Sequence, residues 1–297
     1  IELSPPFWSE SLAEIMKNEK FGILKAGDID QRILIEYPSP NTNKPLHLGH
    51  LRNIFLGSSL SNIMEANGFT VYRTCLYNDR GTNISKSMWA YQHASTKNTP
   101  ESSGRKGDHI VGDYYVRFSS LLKEEMKTLI ESGLTEEQAK KQSKLEKEIA
   151  ELTVQWELKI PEVVELWKMM NGWFYDGVAE TFKRLEVKFD KEYYESGVYN
   201  LGRETVQEGL AKGIFYQKED TSVWIDLTDV GLDHKLVLRS NGTTVYITQD
   251  IALVYEKLKD FNFQSSVYVV GNEQEYHFKV LFEILKRLGL KGSEHLH

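Results

Sequence analysis

The sequence is short of three things. It has a single cysteine, Cys75, in 297 residues. An internal disulfide or a zinc site built from several thiolates is therefore excluded, and a reducing, cytoplasmic setting fits. It has no apolar run near the ~20 residues that span a bilayer. Its first residues carry Glu2, Glu10, Glu14 and Glu19 rather than a basic start and an apolar block, so neither a membrane span nor a secretory leader is indicated. It is also short of positive charge, with 36 Lys and Arg against 43 Asp and Glu, a net charge of -7. Such a surface repels nucleic acid as a whole, so any contact with RNA has to be local. What is present, 40% hydrophobic and 27% charged residues, suits one large or two ordinary folded domains. An initiator Met is missing and no stop signal follows the last helical stretch, so the chain reads as a piece of a longer protein.

Residues 32–37, RILIEY, form a β-rich run ended by Pro38 and Pro40. A helical pattern over 45–67 closes at Gly68, and residues 69–77, FTVYRTCLY, read as a second strand. Strand, helix and strand make a βαβ unit, which predicts a parallel sheet with a right-handed crossover. A polar loop over 95–107 leads into helical stretches, among them a Lys- and Glu-rich face at 136–151 and a helix opened by Pro161. Strands return at 222–227 and 235–240, and Asn241-Gly242 between LVLRS and TTVYIT is a two-residue hairpin signal. The strand TVYIT then leads into a helix over 250–259, and a strand over 265–271 leads into one over 275–288. The pattern predicts an α/β fold with a Rossmann-like parallel sheet flanked by helices. Its first half spans 31–92, a mixed helical and β connective insertion spans 93–240, and the second half spans 241–297; residues 1–30, with a helix over 9–19, lead in.

Residues 39–50, SPNTNKPLHLGH, sit where the first strand hands over to a helix. Ligands of doubly wound sheets bind at that place, and a helix N-terminus offers free N–H groups to an anion. On one helix His47 and His50 lie about 60° apart, and Gly49 leaves the backbone open to close approach. Two imidazoles, Lys44 and a helix N-terminus suit a polyphosphate such as ATP. A shared metal is the first rival, but a zinc site needs a third protein ligand and none is tied to this turn. Two histidines packed at a helix start are the second, but Asn41, Asn43 and Lys44 crowd the same turn without an apolar purpose.

HLGH, residues 47–50, matches the H-x-G-H motif of class I aminoacyl-tRNA synthetases, and the longer SPNTNKPLHLGHLRN resembles the form carried by arginyl-tRNA synthetases. The resemblance continues through YNDRGTNISKSM, GDYYVRF, MNGWFYDG, VYITQDIA and YVVGNEQEYHFKVLFEILKRLG, nearly the whole chain from Ile33. It implies the class I nucleotide-binding fold and a two-step reaction. L-arginine and ATP, with Mg2+, give arginyl-adenylate, and the arginyl group then passes to the 3′-terminal adenosine of tRNA(Arg). By the same match His47, His50 and Lys44 are the catalytic donors that meet the triphosphate, and Gly49 lies under the adenine. Ser39 and Asn41 hold the amino and carboxylate groups with help from Glu36, while Tyr246, Asp250 and Gln274 bind the guanidinium. Taken without the resemblance, Asp250 also fits a helix N-cap and Tyr246 a core aromatic. No protein-held metal and no membrane partner are expected.

The resemblance further implies what lies outside the chain. Residues 1–30 resemble the linker after an N-terminal domain, and a K-M-S-K-like loop and an all-helical anticodon-binding domain would follow residue 297. Arginyl enzymes generally require bound tRNA before they make the adenylate. The chain alone is therefore expected to bind substrates weakly and to charge tRNA poorly or not at all. Two alternatives stay open: a class I synthetase or nucleotidyltransferase of another specificity, such as the cysteinyl group, or a non-catalytic synthetase-like RNA-binding module. The missing zinc cysteines and the Tyr246/Asp250 pair speak against the first. The crowding of His47, His50, Lys44 and Asn41 on one turn speaks against the second.

Overall fold

The run RILIE decides the architecture. Ile33 and Ile35 enter one apolar core and Leu34 the other, so β1 (Arg32–Glu36) is buried on both faces, as the inner strand of a parallel sheet must be. The computed structural model describes residues 2–198 and 202–297. After α1 (Pro5–Lys17), β1 runs through α2 (Leu48–Ala66) into the parallel β2 (Thr70–Tyr77), with Ile33 opposite Val71. Helices α3 (Thr82–Gln92), α4 (Pro100–Ser103), α5 (Gly107–Glu131), α6 (Glu136–Gln142), α7 (Lys144–Glu157) and α8 (Pro161–Arg184) follow. They lead to β3 (Lys191–Tyr194), which pairs with the far side of β2. The chain continues through α9 (Glu195–Val198), α10 (Arg203–Ala211) and a small antiparallel sheet of β4 (Tyr216–Gln217), β5 (Val223–Ile225) and β6 (Lys235–Leu238). It ends with α11 (Tyr246–Phe261), β7 (Ser265–Tyr268) and α12 (Glu275–Leu288).

The parallel strands lie in the order β3-β2-β1-β7. The chain winds outward from β1 in one direction and returns on its other side as β7. This reversal opens a crevice at the carboxyl ends of β1 and β7, where such sheets bind ligands. Residues 93–240 supply β3 to the sheet, and α5 and α8 share a core with β1 and β2.

Local readings are corrected at four places. The helix expected over 45–67 begins at Leu48, with His47 as its N-cap. The strand TVYIT does not form: the hairpin stops at one bridge between Leu238 and Thr244, and α11 starts at Tyr246. Ile247, Ile251 and Val254 recur at helical spacing and bury in the second core, which overrides the β preference of the local residues. The Lys- and Glu-rich stretch is two helices divided at Ser143, whose Oγ accepts the Glu146 N–H at 3.0 Å and donates to Glu125 at 2.6 Å. The loop expected over 95–107 contains α4, capped by the Thr99 Oγ1 that accepts from the Ser102 N–H.

Phe174 on α8 is fully buried and meets Tyr77 edge to face at 6.3 Å. Phe174→Ala is expected to cost about 3–5 kcal/mol through lost burial and the cavity left behind, read as a shifted urea midpoint at constant slope. Among the described residues no helix is long and apolar enough to cross a membrane.

Candidate active site

The loop after β1 prolongs the β1–β2 ladder beyond the strands. Asn41 bridges Asn78 in parallel fashion; the Thr42 N–H donates to Asn78 O at 3.2 Å, and the Asn78 N–H to Pro40 O at 3.0 Å. Asn78 Nδ2 also donates to Ser39 O at 3.4 Å. Ser39 is held at φ 51°, a left-handed conformation that costs a serine roughly 1–2 kcal/mol and that these bonds support. From the other side α5 presses on the loop. A Cβ added to Gly112 would lie 2.6 Å from Pro45 Cδ, so only glycine admits this approach.

The two histidines cap the helix that follows. His47 Nδ1 accepts the Gly49 N–H at 3.1 Å, and His50 Nδ1 accepts the His47 N–H at 3.2 Å. A ring nitrogen that accepts from a backbone N–H carries no proton, so each imidazole bears its proton on Nε2. The rings lie 4.0 Å apart. Burial, together with the neighbouring His47 and Lys44, holds His50 down at about 4, so it is a neutral donor at physiological pH. Gly49 has a second reason to be glycine, since an added Cβ would stand 3.0 Å from His47 Cε1 and 3.1 Å from Nδ1.

Across the crevice, Tyr246 and Asp250 lie four apart on the first turns of α11 and so share a face. Asp250 is the fifth residue of that helix, not its cap, and its Oδ2 lies 2.6 Å from His277 Nε2 on α12. Tyr246 is 69% exposed, not a core residue. Gln274 is exposed on the short turn that opens α12. Glu36 lies at the base, 6% exposed, with Lys257 of α11 on its Oε2. Glu36, Ser39, Asn41, Lys44, His47, Gly49, His50, Tyr246, Asp250 and Gln274 all border one cleft of about 1020 Å3. A space of that size takes a nucleotide and a small partner together.

Four further groups were not singled out in the sequence. Lys257 and His277 border the same cleft, as do Arg80 and Glu195. Glu195 follows β3, lies 3.7 Å from Arg80 and is pushed up to about 7 by burial, with Asp79 and Asp250 adding to the rise and Arg80 opposing it. Asp79 anchors this corner. Its carboxylate accepts from the Ser196 N–H at 2.8 Å, Ser196 Oγ at 2.6 Å and the Tyr175 hydroxyl at 3.0 Å, and burial pushes it up as well. The signal for Glu195 was weak: an acid after a strand of four residues. The cleft is thus polarised, with uncharged imidazole donors and Lys44 at the helix N-terminus and the Asp250 and Glu195 carboxyls on the wall formed by α11 and α9.

Residues 11–297 match the family model described as tRNA synthetases class I (R), catalytic domain. The chain belongs to this family. Among curated proteins it is 52% identical to the arginine–tRNA ligase of Bacteroides thetaiotaomicron over 97% of the chain and 48% of that protein. It is also 52% identical to the arginine–tRNA ligase of Flavobacterium psychrophilum, over 95% of the chain and 47% of that protein. The chain therefore spans about half the length of the curated relatives it matches. The fold of the class I family is visible in the Thermus thermophilus arginyl-tRNA synthetase structure, which aligns with a TM-score of 0.65 at 20% identity over 93% of this chain and 49% of that one.

Proposed function

We propose that the chain forms the amino-acid and ATP site of an arginine–tRNA ligase. The polarity of the cleft carries this reading, because its two ends match the two ends of the reacting pair. In the first step a carboxylate oxygen of L-arginine bonds to the α-phosphorus of ATP. The bond from that phosphorus to the bridging oxygen breaks, and its electron pair leaves with pyrophosphate. Charge grows on the phosphoryl oxygens, and pre-set donors are worth on the order of 10² to 10³ in rate each. His47 and His50 supply Nε2–H donors and Lys44 a cation. Because the imidazoles are neutral and fixed by backbone N–H groups, they donate without reorganising. Gly49 keeps His47 in place as well as admitting the adenine.

At the other end a guanidinium offers a planar fork of donors, and Asp250 is a carboxylate able to meet it two-on-two. Glu195 adds negative charge nearby, and Tyr246 and Gln274 add polar atoms at the mouth. Ser39, Asn41 and Glu36 hold the amino and carboxylate groups between the two ends. Mg2+ bound together with ATP would neutralise phosphate charge at the Lys44 end of the cleft. The second step, transfer to the 3′-terminal adenosine of tRNA(Arg), belongs to the full-length protein.

Gly49→Ala is expected to push His47 off its cap and weaken ATP binding about tenfold, read by calorimetry, with little change in arginine binding. The function itself is tested by exchange of pyrophosphate into ATP by the full-length protein with tRNA(Arg) present. Exchange that depends on L-arginine and on no other amino acid is the expected result; exchange driven by another amino acid overturns the reading.

A further inference from the structure

Glu36 ends β1 opposite Tyr268 of β7, at the point where the winding of the sheet reverses. Lys257 reaches it from α11 and is 1% exposed, with its ammonium on Glu36 Oε2. The same ammonium lies 5.0 Å from the ring centre of Tyr268 and 5.7 Å from that of Tyr193. Among the described residues this is the one ion pair with both side chains less than a tenth exposed, at 1% and 8%.

A buried ion pair is a poor device for stability alone, since desolvation of both charges offsets much of their attraction and an apolar pair of equal volume often does as well. This one lines the cleft, and both of its residues border it. Lys257 occupies one carboxylate oxygen and leaves the other. Lys257 also stands two helical turns beyond Asp250, ~10 Å along the same axis, so one rigid element sets the spacing between Asp250 and Glu36.

We propose that Lys257 is a positioning residue for amino-acid recognition: it holds Oε2 of Glu36 so that Oε1 receives the α-ammonium of the bound amino acid. The assignment rests on the arginine reading of the cleft. The groups facing Glu36 are Lys257 from α11, Tyr268 from β7, Tyr193 from β3 and Cys75 from β2, and Asp250, farther along α11, acts on Lys257 and Tyr268. Burial pushes both tyrosines and the thiol up, so they stay neutral. Burial also works against the charge on Lys257, but the Glu36 carboxylate outweighs it and holds the ammonium above the usual lysine value. Lys257 is the cation of this group. Without it Glu36 is a buried carboxylate with no counter-ion and nothing to hold Oε2, and it pairs poorly with an ammonium.

The test is a calorimetric titration of the chain with L-arginine and with its des-amino analogue, δ-guanidinovalerate. The unaltered chain should prefer arginine about 10- to 100-fold, the range for a hydrogen bond to a charged group. Lys257→Met should bind the two ligands within about threefold of each other, with affinity for the analogue kept. Full preference retained, or equal loss for both ligands, overturns the assignment. If Lys257→Met does not fold, the comparison is made with Lys257→Gln, which keeps a donor but not the charge. Preference cut to within about threefold by that variant supports the assignment, and full preference retained overturns it. An unaltered chain that binds both ligands equally overturns this assignment alone; if it binds neither, the same comparison is made on the full-length protein with tRNA(Arg), where binding of neither overturns the arginine reading and equal binding of the two overturns this assignment.

Discussion

Asp250→Asn is expected to weaken L-arginine binding about 100-fold and to erase the preference for arginine over citrulline. The variant keeps the shape of the side chain but replaces an anion that accepts twice with an amide that points a donor at a donor. Breaking one side of a hydrogen-bonded charge pair costs about 2–5 kcal/mol, and the 31% exposure of Asp250 places it at the low end. Glu195 then becomes visible. Its carboxyl is pushed up to about 7 by burial, with Asp79 and Asp250 contributing, so loss of the Asp250 charge lets Glu195 ionise more readily and take over part of the role. Asp250→Asn/Glu195→Gln should remove what remains. The pH dependence has a definite sign. Glu195 is neutral below about 7 and ionised above it, and a bound cation favours the ionised form. Arginine affinity should therefore rise from about pH 6 to about pH 8, and Glu195→Gln should flatten that part of the rise. Calorimetry at three pH values checks both statements.

His47→Ala and His50→Ala are each expected to slow adenylate formation by about 10² to 10³ in the full-length protein, read as pyrophosphate exchange at saturating arginine and tRNA. The two losses should not multiply. The His50 ring accepts the His47 N–H, so removing it frees the turn that carries His47 as well, and the double variant should fall short of the product of the singles. Because burial, His47 and Lys44 hold His50 down at about 4, its titration should leave no limb in the rate profile between about pH 6 and pH 9. Rates unchanged by either substitution would point to a binding role for this turn.

The sheet was legible where few residues carry the signal. RILIE alternates between two cores and is stopped by prolines, and Gly68 closes the helix that follows, so the βαβ unit could be read from spacing. The helix start was misplaced because the imidazoles do the capping here, a task that Ser, Thr, Asp or Asn usually performs. TVYIT was misread because its local β preference competes with a burial pattern visible only when Ile251 and Val254 are counted with Ile247. For the cleft, the turn at 39–50 announced itself by crowding polar residues. Tyr246, Asp250 and Gln274 were reachable only through family resemblance, since a tyrosine and an acid four apart are ordinary on any helix. Lys257 had no local signal at all. In VYEKLKDF it looks like one more solvated charge, and its burial follows from its contact with Glu36 at the end of β1. Glu195 was hidden for a similar reason, since its environment is assembled from Arg80, Asp79 and Asp250 on other segments.

The most direct measurement is a calorimetric titration of the folded chain with L-arginine, beside citrulline and L-lysine up to about 10 mM. Saturable binding of arginine, with citrulline and lysine weaker by a factor of about 100 or more, is the predicted result, because a charged planar fork is what the Asp250 end of the cleft selects. Equal binding of citrulline or lysine would contradict it.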